Sequence, residues 1–150
     1  MLSPVTRGAT PARVATYQVE PYVVAADVYG VAPHVGRGGW TWYTGSAAWM
    51  YRIAVESVLG VRLVGGDTLV VAPRVPDAWP GFTVRLRLPD GRGDYEIVVT
   101  NPTGRAAIVT AASMDGAPAA IVAGAARIPV AAEAGRHRVD VVLGAAVASA

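Results

Sequence analysis

From Asp67 onward, apolar and polar residues alternate in short bursts separated by Gly, Pro, Asp and Asn. Thr83–Leu88 (TVRLRL) alternates strictly. Val84, Leu86 and Leu88 fall on one side and Thr83, Arg85 and Arg87 on the other, the period-two pattern of a half-buried strand. Thr68–Val71, Tyr95–Thr100, Ala107–Thr110, Ala120–Val122 and Arg138–Leu143 also read as strands, being rich in β-branched residues. The joints Pro89–Gly93, Asn101–Gly104 and Asp115-Gly116 carry hairpin turn chemistry. Short strands at this spacing predict a small antiparallel β-sandwich over residues 65–150. Its core would be thin and better suited to docking on a neighbour than to standing alone. No internal repeat is visible.

The pattern changes near Gly65-Gly66, and residues 1–64 read as a separate, aromatic and partly helical part. One helix is predicted from Thr44 to Gly60: Thr44-Gly45-Ser46 supplies N-cap candidates, and Gly60 is a stop signal. Trp49, Ile53, Val55, Val58 and Leu59 spread around more than one stripe, as in a helix enclosed by others. A second helix is predicted over Glu20–Tyr29, opened by Pro21 at its first position.

Composition narrows the function classes. The 150 residues include no cysteine, which excludes a disulfide scaffold, a thiolate zinc site and a cysteine nucleophile, and no metal site is predicted. All 13 basic residues are arginine and face 11 carboxylates, a balance of +2 that leaves no nucleic-acid footprint. Asp115 is the lone charge between Arg105 and Arg127, but Asp115-Gly116 and Pro118 break that stretch into strands and a turn, so no membrane span is read there. Residues 1–20 lack the apolar core of a secretory signal, and the expected compartment is the cytoplasm.

Pro33–Ala47 (PHVGRGGWTWYTGSA) concentrates the candidate chemistry. Gly36, Gly38 and Gly39 permit positive φ and close backbone approach, while Trp40, Trp42 and Tyr43 offer flat faces for stacking on sugar rings. The loop runs into a helix start at Thr44-Gly45, where unpaired N–H groups and the helix dipole make a cradle for phosphate. Arg37 or Arg52 would add a charge-assisted contact. Plainer roles stand beside these: Thr44 or Ser46 as a simple cap, the tryptophans as core, and His34 and His137 (in a turn-like Gly135–Arg138 segment) as surface or hydrogen-bonded residues. Asp27 and Glu56 read as solvated or ion-paired helix residues, and GRGG is too short for a dinucleotide loop.

Glu20–Arg62, with its TGSAAWMYR block, closely resembles the end of the catalytic domain in glycoside hydrolase family 94. The likeness is greatest to the phosphorylase-type region of cyclic β-1,2-glucan synthases, and cellobiose and chitobiose phosphorylases are similar in looser form. Leu69–Phe82, Asn101-Pro102 and Asp115-Gly116 resemble that family's closing β-rich segment, so the resemblance covers roughly residues 17–143.

It implies an α+β fragment: the last helices of an (α/α)6 barrel over residues 1–64, then a small antiparallel β-sandwich over 65–150. It also implies inverting phosphorolysis of β-glucosides, in which inorganic phosphate is a co-substrate and no other cofactor is used. Thr44 and Gly45 are the implied phosphate-binding pair, and Trp40, Trp42, Tyr43 and Arg37 are the candidate substrate-binding residues. The family's phosphate histidine and arginine and its general-acid aspartate lie in earlier parts of the barrel, so no catalytic residue is assigned within this chain. The expected partners are a β-glucan oligosaccharide, phosphate and an upstream barrel, and full-length relatives are implied to be tied to the inner membrane. The isolated chain is expected to be inactive. The alternatives are a non-catalytic carbohydrate-binding or accessory module and a complementing subunit for a separately encoded barrel.

Overall fold

The computed structural model describes residues 3–20, 23–42, 44–88 and 91–145, with only the backbone described at Thr44. They form two compact units, residues 1–52 and 53–150. In the first unit, short helices α1 (Pro4–Arg7) and α2 (Pro11–Tyr17) precede a long irregular segment and α3 (Thr44–Arg52). Thr10 caps α2, its side chain accepting from Arg13 N–H at 3.3 Å, and Pro11 takes the first helical position. Gln18, left-handed at φ 57°, ends the helix.

Tyr17 is the buried anchor of this unit. Its hydroxyl donates to Val23 O at 3.2 Å and accepts from Ala25 N–H at 3.3 Å, while the Arg7 guanidinium lies 5.6 Å from the ring centre. These contacts replace the helix expected over Glu20–Tyr29. Ala26 N–H and Tyr29 N–H donate to Trp40 O and Arg37 O, and Val28 forms a bridge with Gly38. The segment therefore satisfies its backbone by pairing with a returning chain, which suits the β-branched Val23 and Val24 better than a helix. Pro21, the expected helix opener, lies outside the described residues.

The second unit opens with a π-helical segment, Ile53–Val58, followed by β1 (Val61–Val64), β2 (Thr68–Val71), β3 (Gly81–Arg87), β4 (Asp94–Thr100), β5 (Ile108–Met114), β6 (Ala117–Pro118), β7 (Ala120–Val122), β8 (Ala125–Pro129) and β9 (Arg136–Gly144). One sheet has the order β1-β2-β8-β7 and the other β3-β4-β9-β5-β6. Gly65-Gly66, where the change of pattern was read, is a turn inside this unit that joins β1 to β2. Gly60, at φ 71°, follows the π-helical segment as a left-handed terminator. A Cβ there would collide with the carbonyl of Ala72, whose N–H donates to Gly60 O.

Leu69, Val71, Ala126 and Ile128 of one sheet share a core with Tyr95, Ile97, Val99, Val139, Val141 and Leu143 of the other. The alternation in β3 falls as expected, with Thr83, Arg85 and Arg87 exposed. The expectation of a purely antiparallel sandwich is corrected, because β4 and β9 pair in parallel from Asp94↔Arg136 to Thr100↔Val142. The 35 residues between them run through β5–β8, a connection long enough for a parallel pair. The segment Gly135–Arg138, read as a turn, is mostly the start of β9.

Buried Asn101 holds the crossing between the two sheets. Its side-chain N–H groups donate to Asp77 O and Trp79 O, both at 3.0 Å, and its Oδ1 accepts from Arg105 N–H at 2.9 Å.

Candidate functional site

The glycine-rich loop turns out to be built around its own neighbours. Of Gly36, Gly38 and Gly39, Gly36 alone adopts positive φ. A Cβ at Gly38 would strike Val19 and the Tyr17 ring, and one at Gly39 would strike the carboxylate of Asp27. These glycines let the returning chain pass close over Tyr17 and Asp27. Asp27 is therefore no helix residue: its Oδ1 accepts from Trp40 N–H at 3.2 Å. His34 is exposed and meets Tyr29 edge-on at 5.9 Å between ring centres, in keeping with the plainer role.

Beyond this passage the loop presents Trp40 and Trp42 to solvent. Trp40 is 76% exposed and Trp42 is 67% exposed. Trp42 is left-handed at φ 59°, costly for a bulky side chain, and its indole N–H donates to Glu20 Oε1 at 3.1 Å. Arg37 is also exposed, and Tyr43 lies outside the described residues.

Helix α3 begins at Thr44, so Thr44, Gly45 and Ser46 occupy its first turn and are not its cap. Ser46 Oγ donates to Val24 O at 3.3 Å, tying that turn to the irregular segment. Gly45 is exposed. Arg52 sits eight residues on, about 12 Å along the axis at 1.5 Å per residue, and its guanidinium lies 5.1 Å from the Trp49 ring centre. The helix start and the exposed tryptophans thus belong to one continuous stretch, with Arg37 upstream of both.

A second polar cluster, not foreseen as a unit, lies where β3, β4 and β9 meet the β5–β6 turn. His137 Nδ1 is 2.8 Å from Asp115 Oδ2, and its ring stacks on Tyr95 at 5.0 Å. Since the carboxylate accepts, Nδ1 carries a proton, while Nε2 is buried without a partner among the described residues. The hydrogen bond from His137, then that from Arg138 N–H, holds the Asp115 carboxyl below its ordinary range. Asp94 is also lowered, chiefly by its hydrogen bond from Arg87. The visible signal was the outward row of Arg85 and Arg87, with acidic residues spaced two apart in Asp94-Tyr95-Glu96.

Comparison with known sequences finds a family match over part of the chain and several similar proteins. Residues 2–60 match the family described as "Glycosyl hydrolase 94 superfamily, catalytic domain". The chain is 51% identical over 88 residues to "Cyclic beta-(1,2)-glucan synthase NdvB" of Rhizobium meliloti (strain 1021), covering 59% of this chain and 3% of the relative. It is 39% identical over 94 residues to "N,N'-diacetylchitobiose phosphorylase" of Vibrio furnissii, covering 61% and 11%. With "Solabiose phosphorylase" of Paenibacillus borealis it shares 31% identity over 84 residues, covering 55% and 10%. An 88-residue alignment cannot fit within residues 1–60, so the likeness continues into the β-rich part. The chain spans about a tenth or less of the length of these relatives. Among the described residues, no helix is long and apolar enough to cross a membrane.

Proposed function

We propose, from this likeness to glycoside hydrolase family 94, that the chain supplies one wall of the active site of an inverting β-glucoside phosphorylase of the cyclic β-1,2-glucan synthase type. In that reaction a phosphate oxygen attacks the anomeric carbon, the glycosidic C–O bond breaks, and a carboxylic acid on the opposite side protonates the leaving oxygen. The nucleophile and the acid must approach from two sides, and this chain contributes to the phosphate side alone. The backbone N–H groups of Thr44 and Gly45 grip the phosphate, and Trp40 and Trp42, with Tyr43 and Arg37, receive the sugar. The acid and the remaining phosphate ligands come from the rest of a barrel, whose last helices this chain carries.

The observation that carries the proposal is the start of α3 at Thr44. It puts the N–H groups of Thr44 and Gly45 in the first turn of a helix, where no carbonyl of the helix itself reaches them and the dipole also favours an anion. Two measurements test it. In a full-length relative, the change equivalent to Thr44→Val should raise the phosphate concentration needed for half-maximal rate by about tenfold; an unchanged requirement would refute the assignment. This chain alone, given a β-1,2-glucooligosaccharide and phosphate, should release no glucose 1-phosphate, and turnover would show that it holds a complete site.

The exposure of Trp40 and Trp42 favours a second reading, a non-catalytic glucan-binding module. Glucan-dependent quenching of tryptophan fluorescence without any response to phosphate would select it.

A further inference from the structure

The five-stranded sheet carries an ordered grid of charge on its outer face. The strand register places Arg85, Glu96 and Arg138 in one row across β3, β4 and β9, and Arg87, Asp94 and Arg136 in the next. Asp115 continues the first row, its N–H donating to Arg138 O. Signs alternate along both rows. Glu96 lies 3.4 Å from Arg85 and 3.5 Å from Arg138, Asp94 lies 2.8 Å from Arg87, and Asp140 lies 2.8 Å from Arg138. A cavity of about 830 Å³ opens among the residues of the two rows, with Leu86, Tyr95 and His137 also in its lining.

The chemistry selects the class of ligand. Four guanidiniums against Asp94, Glu96 and Asp115 leave little net field, so neither a phosphate nor a metal ion is drawn in strongly. Exposed ion pairs are weak, and their lone pairs and N–H groups can be shared at small cost. Strands about 4.8 Å apart set acceptors and donors side by side at that pitch. A molecule that presents neighbouring hydroxyl groups, each donating to a carboxylate and accepting from a guanidinium, satisfies both members of a pair at once.

We infer that this grid is a secondary binding site for a neutral glucan chain, within the second unit and separate from the stretch around Thr44. The choice of glucan among polyhydroxylated ligands rests on the function proposed above. The site would hold a long product or acceptor on the protein between reaction cycles.

Titration of the full chain with a β-1,2-glucooligosaccharide, followed by backbone and arginine side-chain NMR, tests this. Shifts are expected at Glu96, Asp94, Arg138 and the Arg Nε–H groups. They should weaken at least tenfold in apparent affinity in Glu96→Gln/Arg138→Gln, and persist in Trp40→Ala/Trp42→Ala. Both pairs of changes are at exposed positions, and preserved shifts of the β4 and β9 core amides will show that the fold is kept. Shifts confined to Trp40, Trp42 and Gly45 would overturn the inference while leaving the proposed function standing. A response of the grid to inorganic phosphate but not to glucan would also overturn it, as would no response of the grid at all.

Discussion

Asp115 ties the β5–β6 hairpin to β9, and its replacement should cost more than its exposure suggests. Asp115 and Gly116 form a two-residue turn with φ 51° and 83°, the positive-φ pair that favours Asp-Gly. Its carboxylate accepts from His137 Nδ1–H and from Arg138 N–H, each at 2.8 Å. Asp115→Ala removes both acceptors and leaves a His137 ring, 15% exposed, with neither nitrogen paired. A hydrogen bond is worth about 0.5–1.5 kcal/mol net, and the lower half applies to the Arg138 contact because Asp115 is 46% exposed. Stranding the half-buried imidazole adds about 1 kcal/mol or more, and a left-handed alanine about 1 kcal/mol. Asp115→Ala should therefore destabilise the second unit by about 2–3 kcal/mol. Asp115→Asn keeps the turn and an acceptor for Arg138 N–H, and should cost about 1 kcal/mol. Native-state hydrogen exchange of the β4 and β9 amides reads that unit directly. A loss under about 0.5 kcal/mol for the alanine variant, or equal losses for both variants, would refute the reasoning.

Four further outcomes follow from named contacts. The lowered Asp115 carboxyl contributes stability that is whole above its unfolded value of about 4 and is lost as pH falls through its lower folded value, so acid unfolding should begin at higher pH in Asp94→Asn and Asp115→Asn than simple charge counting gives, with a flatter slope below pH 4. An unchanged acid limb in urea titrations would contradict this. Asn101→Ala strands the carbonyls of Asp77 and Trp79 and the N–H of Arg105, and should cost about 2–3 kcal/mol in chemical denaturation. Gly39→Ala drives a methyl group into the Asp27 carboxylate, and should abolish exchange protection at Ala26 and Trp40 while leaving β9 untouched. Trp42→Gly relieves a left-handed tryptophan, so it should leave stability within about 1 kcal/mol while removing most glucan-dependent fluorescence change.

The β-rich part was the more legible because its longer strands, β3, β4 and β9 among them, alternate against water on one face. Thr83–Leu88 named its inward residues correctly, since a one-residue slip would have put Arg85 and Arg87 into the core. The parallel pairing of β4 and β9 was hidden, because a period of two is the same in either direction. β8 was missed because Ala125-Ala126 and Pro129 have poor strand propensity, and it is pairing with β2 on one side and β7 on the other that makes the segment a strand. In the first unit, Pro21 with an apolar run looked like a helix start, whereas the side chain that organises the region is Tyr17, whose hydroxyl is used twice. No local pattern announces such a contact. Thr10-Pro11, by contrast, was a readable cap and first-turn pair for α2 that was passed over. The Thr44-Gly45 helix start was legible because turn residues meet an apolar helical run there, while the grid of charge required the register of three strands.

The exposure of α3 links these points to function. None of its described side chains is buried, Trp49 and Tyr51 stand more than 60% exposed, and nine residues fall short of the length at which an isolated helix holds its own in water. Sequence alone spread apolar residues around this helix, a distribution that makes sense where further helices cover it. The amides proposed to bind phosphate therefore sit on an element that added contacts would stabilise, and covering the helix would both fix those amides and exclude water from them. In the chain alone, the α3 amides should exchange within about tenfold of unstructured rates, while those of β4 and β9 stay protected. Protection of α3 equal to that of β9 would mean that the helix needs no cover, and would remove the physical reason for placing it inside a barrel.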